Sequence, residues 1–191
     1  GFLIPILYIT GPFLSGLALT IFCLLFIFLT LYEKKFYFYK NFLFLSILFW
    51  SVYLIIISFF SINQISSLSS SLFYFRFPLM ALGYWYLLEK HNNFLNNFTK
   101  LLTAVFIFLS IDCFFQFFFG YNIIGLPYEQ GRASSFFGEE KILGSYISRL
   151  LPFSLIYFSI KYKNNINLKF LFILSLVLLS VIFAGERVAI L

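Results

Sequence analysis

Four arginines, Arg76, Arg132, Arg149 and Arg187, are the residues of this sequence whose type and placement point most directly to chemistry. A guanidinium is flat, always charged, and forks two hydrogen bonds onto a carboxylate or a phosphate, which a lysine ammonium cannot do. The arginines are absent from the stretches where lysine is concentrated, so the two cations are used for different purposes, and the arginines imply an anionic ligand. Acidic residues stand near them. Glu139 and Glu140 follow Ser134-Ser135 and Gly138, where a helix is expected to start. They read either as first-turn acids favoured by the helix dipole or as partners of Arg132 and candidates for catalysis. Asp112 and Gln116, spaced i and i+4, share a helix face, and Asp112 reads either as a counter-ion to Arg76 or Arg149 or as a functional acid. The catalytic residue is otherwise not identifiable. The sequence holds no Gly-rich phosphate loop, no Ser-His-Asp order, no His/Cys cluster and no acidic pair with metal-ligand spacing, so the expected site is cationic, without metal or cofactor.

The elements that must carry these residues follow from composition. Of 191 residues, 62% are AVILMFWYC and only 10% are charged, against about 45–50% and about 25% in soluble domains. Its 31 Phe, 13 Tyr and 2 Trp exceed what a water-soluble fold of this size can hide, and lipid is the solvent that fits. The net charge of +6 sits in short clusters between apolar runs, so it flanks a membrane and does not mark a nucleic-acid groove. Cys23 and Cys113 lie inside apolar stretches, which supports neither a disulfide framework nor a Cys metal site.

Covering about 30 Å of hydrocarbon takes roughly 20 apolar residues. The expected spans are residues 13–32, 42–62, 72–88, 101–119, 142–160 and 168–184, the fifth carrying Arg149 in mid-run. A shorter stretch, Phe2 to Ile9, is cut off by Gly11-Pro12 and reads as the end of a truncated helix or a re-entrant piece. The expected fold is thus all-α, a single polytopic transmembrane helix bundle over residues 1–191 with about six spans plus that N-terminal segment. Lys34, Lys35, Lys40, Lys90, Lys100, Lys161, Lys163 and Lys169 fall on alternate loops, which the positive-inside rule makes cytoplasmic. The loops 61–71 and 120–141 and the end at Gly185-Glu186-Arg187 then face outward, and all four arginines lie in the outer half. On this map His91 and the Asn97-Phe98-Thr99 acceptor pattern are on the inside. In the fifth span Lys141, Gly144, Ser145, Ser148, Arg149 and Pro152 share an arc of about 140°, opposite Ile142, Tyr146, Leu150 and Phe153, and this small polar face is expected to turn inward with Arg149.

The run Gly131-Arg132-Ala133-Ser134-Ser135-Phe136-Phe137-Gly138-Glu139-Glu140-Lys141 through Arg149-Leu150-Leu151-Pro152, followed by Ala184-Gly185-Glu186-Arg187, resembles the bacterial O-antigen ligase and O-antigen polymerase family. The opening Pro5-Ile6-Leu7-Tyr8-Ile9-Thr10-Gly11-Pro12 and the Phe73-Tyr74-Phe75-Arg76 run are similar to polymerase-like members. The resemblance implies a multi-pass inner-membrane glycosyltransferase of the GT-C-like sort that takes glycan from an undecaprenyl diphosphate carrier on the periplasmic face. Its acceptor would be lipid A-core or another lipid-linked repeat unit, with a chain-length regulator as a further partner. By motif Arg132 and Arg187, and by position Arg149 and Arg76, would hold the diphosphate. Members carry a large periplasmic loop further on, so the resemblance also implies that this chain is an N-terminal portion, inactive alone. Phe136, Phe137, Tyr121 and Tyr128 read as interface anchors or as sugar-stacking rings. The rival reading, a transporter or flippase for an anionic lipid or glycan, would want the same arginines, together with broken helices at the midplane and an inverted repeat.

Overall fold

The computed structural model describes residues 3–129, 131–138, 140–162 and 168–186. The described residues are all-helical, with isolated backbone bridges and no strand. They divide into two compact units, one within residues 13–92 and the other formed by residues 3–12 with the described residues from 93 to 186. Uniformly apolar composition marks where helices run but carries no sign of which helices pack together, so this division has no signature in the sequence.

The first unit holds α2 (Pro12–Tyr32), a 3-10 turn (Phe36–Lys40), α3 (Phe42–Ser58), α4 (Gln64–Ser71) and α5 (Arg76–Lys90). Its core is built from helical stripes: Leu19, Cys23 and Phe26 on α2 meet Leu79, Leu82 and Tyr86 on α5, with Phe38 and Phe44 closing one end. Phe38 is fully buried, its ring 5.1 Å from that of Trp85 and 5.8 Å from that of Tyr86. Gly83 permits the approach of α2 to α5, because a Cβ there would stand 2.7 Å from a Phe22 ring carbon. Past the end of α2, the Glu33 carboxylate binds Lys35 at 2.8 Å and Lys90 at 2.6 Å, and accepts the Tyr86 hydroxyl at 2.8 Å. The buried Ser58 and Ser71 hydroxyls, 2.9 Å apart, join α3 to α4.

The second unit holds α1 (Ile4–Leu7), α6 (Phe94–Phe119), a 3-10 turn (Ser135–Phe137), α7 (Leu143–Tyr162) and α8 (Leu168–Phe183). Leu102, Phe106, Leu109, Cys113 and Gln116 repeat at helical spacing and are all buried, so α6 forms the spine against which α7 and α8 pack. Ser110 meets Ser180 at 3.0 Å between α6 and α8, and the Tyr146 hydroxyl donates to the Pro5 carbonyl at 2.7 Å, tying α7 to the N-terminal segment. Gly120, at φ +80°, ends α6 in the left-handed conformation that glycine adopts without strain.

Helices differ from the apolar runs at their ends. The run 42–62 is helical only to Ser58, and the expected loop 61–71 contains α4; the run 72–88 opens with turns, so its helix begins at Arg76. The helix of the run 101–119 begins earlier, at Phe94, because Asn96, Asn97 and Lys100 are helical with exposed side chains. Backbone hydrogen bonding does not stop where hydropathy does. Among the described residues two helices, Phe13–Tyr32 and Phe94–Phe119, are long and apolar enough to cross a membrane; at about 1.5 Å per residue the second exceeds about 30 Å of hydrocarbon. Large apolar side chains stand exposed on both units, Phe13, Phe42 and Phe60 on the first and Phe118, Leu168 and Phe172 on the second.

Candidate functional site

Within the second unit, the loop between α6 and α7 is held from below by three buried polar side chains. Asp112, fully buried on α6, accepts the Ser135 hydroxyl at 2.5 Å and the Ile123 amide at 3.0 Å. One turn further, Gln116 accepts the Ser135 amide at 2.7 Å through its oxygen, while its nitrogen donates to the Leu126 and Pro127 carbonyls and the Ser134 hydroxyl. Asn122 folds the first half of the loop on itself, accepting the Ile124 and Leu126 amides and donating to the Ser135 carbonyl at 2.9 Å. Ser135 is the meeting point of all three. It sits at φ +49°, a left-handed conformation unusual for a residue with a Cβ, and its surroundings hold it there.

Arg132, half-buried, extends from this scaffold. Its amide bonds the Glu129 carbonyl at 3.0 Å, and Glu129 also meets Lys141 at 3.6 Å. The next residue, Ala133, donates its amide to the Phe183 carbonyl at the end of α8 at 3.2 Å. Gly185, at φ +65°, lies so close that a Cβ would stand 3.0 Å from the Arg132 Cγ and 3.1 Å from the Gly131 carbonyl oxygen. Two segments about fifty residues apart in the chain, Gly131-Arg132 and Ala184-Gly185-Glu186, are therefore packed on each other.

Glu186 extends the same assembly to α7. Its carboxylate, buried, accepts the Gly144 amide at 3.0 Å, the Ser145 amide at 2.9 Å and the Ser145 hydroxyl. These are orphan donors of the first helical turn, and a carboxylate is the group the positive end of the helix favours. For Glu140 the first-turn reading is thereby corrected: α7 starts at Leu143, Glu140 lies exposed before it, and the acid that meets the first amides of the helix comes from beyond α8.

The remaining expectations fare differently. Arg149 is exposed, whereas α7 buries Leu143, Gly144, Tyr146, Ile147 and Ser154. The expected inward turn of Arg149 is therefore corrected: of the small-residue face Gly144 is buried and Ser145 half-buried at the start of α7, while Arg149 and Pro152 further along are exposed. Arg76 belongs to the first unit, where it opens α5; its guanidinium donates to the Phe73 carbonyl and to Thr20 Oγ1, each at 3.1 Å, and lies 4.8 Å from the centre of the Phe73 ring. Asp112 is bonded to Ser135 and Ile123 where an arginine partner was expected. Arg187 and Glu139 lie outside the described residues. Sequence reasoning did not single out Glu186 or Asn122. Asn122 had a local signal, an Asn two residues after a helix-ending glycine; Glu186 had none, because its partners are 41 and 42 residues away. Among the described residues no group of His, Cys, Asp and Glu could hold a metal ion.

Comparison of the chain with models of protein families, with curated proteins and with solved structures finds no match.

Proposed function

We propose that this chain is a membrane-embedded part of a glycosyltransferase that polymerises or ligates undecaprenyl-diphosphate-linked O-antigen or a related surface polysaccharide. In this reading the chain crosses the bacterial inner membrane about six times, with lysine loops in the cytoplasm and the loop 120–141 on the periplasmic face. Exposed phenylalanines on both units support lipid as the surrounding solvent, since a monomer in water rarely exposes so much apolar surface. The observation that carries the functional reading is the packing of Gly185 on Arg132, which joins the two arginine-bearing segments of the resemblance.

Chemically, transfer of a glycan from such a carrier leaves undecaprenyl diphosphate as the departing anion. Arg132, raised on the Asp112, Gln116 and Ser135 scaffold, would bind its phosphate oxygens by forked hydrogen bonds, with Arg187 following Glu186 as the second grip. Arg149 on α7 and Arg76 in the first unit are further candidates for that binding. Glu140 would accept the proton that the attacking hydroxyl gives up as the new glycosidic bond forms, with Glu139 beside it in sequence. Lipid A-core or a second lipid-linked unit would be the acceptor.

The test is genetic and chemical together. Cells lacking the protein should accumulate carrier-linked single repeat units and lose long or core-attached surface glycan, and its return should reverse both. Unchanged surface glycan, or accumulation of the lipid-linked unit only on the cytoplasmic face, would remove the transfer reading; the second result belongs to a flippase.

A further inference from the structure

At the tip of the α6–α7 loop, Ile123 and Ile124 stand 60% and 64% exposed, yet every backbone amide from Asn122 to Tyr128 is spent inside the protein. The Ile123 amide donates to Asp112 at 3.0 Å, and the Ile124 and Leu126 amides donate to the Asn122 side chain at 3.1 and 2.7 Å. Gly125 donates to the Asn122 carbonyl and Asn122 to the Leu126 carbonyl, both at 2.9 Å, and Tyr128 to the Gly120 carbonyl at 2.8 Å. Pro127 has no amide to place. From below, the Gln116 nitrogen takes up the Leu126 and Pro127 carbonyls. An exposed loop in water leaves such groups to the solvent, whereas hydrocarbon offers no hydrogen bond and each must be met by the protein. No charged residue stands between Asp112 and Glu129.

The same loop lies low on its helix. From Lys100, its last basic residue, to Phe119 at its end, α6 runs about 28 Å, close to the roughly 30 Å of hydrocarbon. Asp112, which holds the Ile123 amide, stands two turns before that end, about 10 Å down the helix. Phe108, on which Phe136 of the same loop stacks with ring centres 5.2 Å apart, stands a further turn down. The chain that leaves α6 at Gly120 therefore turns back along the helix instead of rising from it. On those turns α6 exposes Phe108 and Ile111, so the level of the tip is apolar on the helix as well.

We propose that residues 121–126 are re-entrant: the tip lies within the outer hydrocarbon layer, with Ile123 and Ile124 against lipid acyl chains. The inference rests on the reading that α6 crosses a bilayer with the loop 120–141 on its outer side, and it moves the first part of that loop from water into lipid. It gives a shared purpose to the buried Asp112, Gln116 and Asn122, because non-helical backbone is tolerated at that depth only where protein meets its polar groups. A protein partner commonly takes hydrogen bonds from the loop it covers, and this tip has no amide left to give.

The experiment reads a single tryptophan. The full chain, with Trp50 and Trp85 replaced by Phe, is reconstituted into phosphatidylcholine vesicles, and Ile124→Trp is compared with Leu24→Trp, an exposed position midway along α2. Lipids brominated on their acyl chains should quench both emissions to a comparable extent, and aqueous iodide should quench neither. If Ile124→Trp fails to fold, Ile123→Trp takes its place. Quenching of the tip by iodide would put it in water, and quenching by neither agent would put it under another protein segment or a second copy. Either result overturns the proposal, while bromolipid quenching at position 24 keeps the membrane reading intact. Absence of bromolipid quenching at position 24 would remove the membrane reading and the proposal with it.

Discussion

The Ser135 hydroxyl meets the Asp112 carboxylate at 2.5 Å, and neither residue is reached by solvent. Asp112→Ala would leave that hydroxyl and the Ile123 amide without a partner. The buried Ser135 hydroxyl left unsatisfied costs about 1–3 kcal/mol and the Ile123 amide, on an exposed residue, adds less, so the expected loss is about 1–4 kcal/mol. Asp112→Asn keeps an acceptor and should cost less than half as much. Denaturant unfolding of the detergent-solubilised chain measures both; equal stability of the alanine variant and the parent would mean that the loop is held by something else.

Backbone and side chain pull in opposite directions at Ser135, where φ is +49°. Ser135→Gly loses the bond to Asp112 but relieves the left-handed conformation, whereas Ser135→Ala loses the bond and keeps the strain. The glycine variant should be the more stable of the two by about 1–2 kcal/mol. The same unfolding assay settles the order, and an alanine variant as stable as the glycine one contradicts the strained conformation.

Gly185→Ala introduces a Cβ 3.1 Å from a backbone oxygen and 3.0 Å from the Arg132 side chain, in a residue at φ +65°. The expected cost is about 1–2 kcal/mol from the conformation alone, and the contact should push Arg132 aside. Accessibility of a cysteine at position 132 to a thiol reagent, with Cys23 and Cys113 replaced, should change when alanine is introduced at 185. No change would separate the two segments.

Glu33 gives a pH signature in the first unit. Hydrogen bonds from Lys35, then Lys90 and Tyr86, hold its carboxyl down from the ordinary 4.5 to about 2, and the bonds to Glu33 and Tyr86 lift Lys90 from 10.5 to about 12. A lowered acid pKa means that the stabilisation is complete above about 4.5 and fades as pH falls toward 2. A raised lysine pKa means that it is complete below about 10.5 and fades as pH rises toward 12. The difference in melting temperature between the parent and Glu33→Gln should therefore be flat across neutral pH and shrink at both extremes. A difference that persists at pH 2 would contradict the pairing.

Much of the helical content was legible because apolar runs are long and charges punctuate them; the run from Phe13 to Tyr32 lies within one helix, Pro12–Tyr32. α4 was not, since Ser66, Ser67, Ser69, Ser70 and Ser71 favour turns and caps by propensity and become helical through packing on α3. At the candidate site, Asp112 and Gln116 were visible as a polar pair on one face of an apolar helix. Their partners were not, because a buried acid in an apolar sequence calls first for a cation, while the loop supplied a hydroxyl and a backbone amide, which serve without bringing a second charge into the interior. Glu186 shows the same limit. No acid stands in the first turn of α7; the carboxylate that meets its first amides comes from the far end of the unit, and a single sequence has no means of pairing residues 144 and 186.

The central claim is that Arg132 grips a diphosphate by a forked hydrogen bond, and Arg132→Lys tests it most directly because charge is kept and the fork is lost. The measurement is the rate of glycan transfer from an undecaprenyl-diphosphate-linked donor by the complete protein in vesicles, at matched protein level. Loss of one charge-assisted bond of about 1.5–3 kcal/mol predicts a fall of roughly 10- to 150-fold. A rate for Arg132→Lys within about twofold of the parent would contradict the account, since a residue that only anchors the loop at the interface is replaced by lysine with little loss.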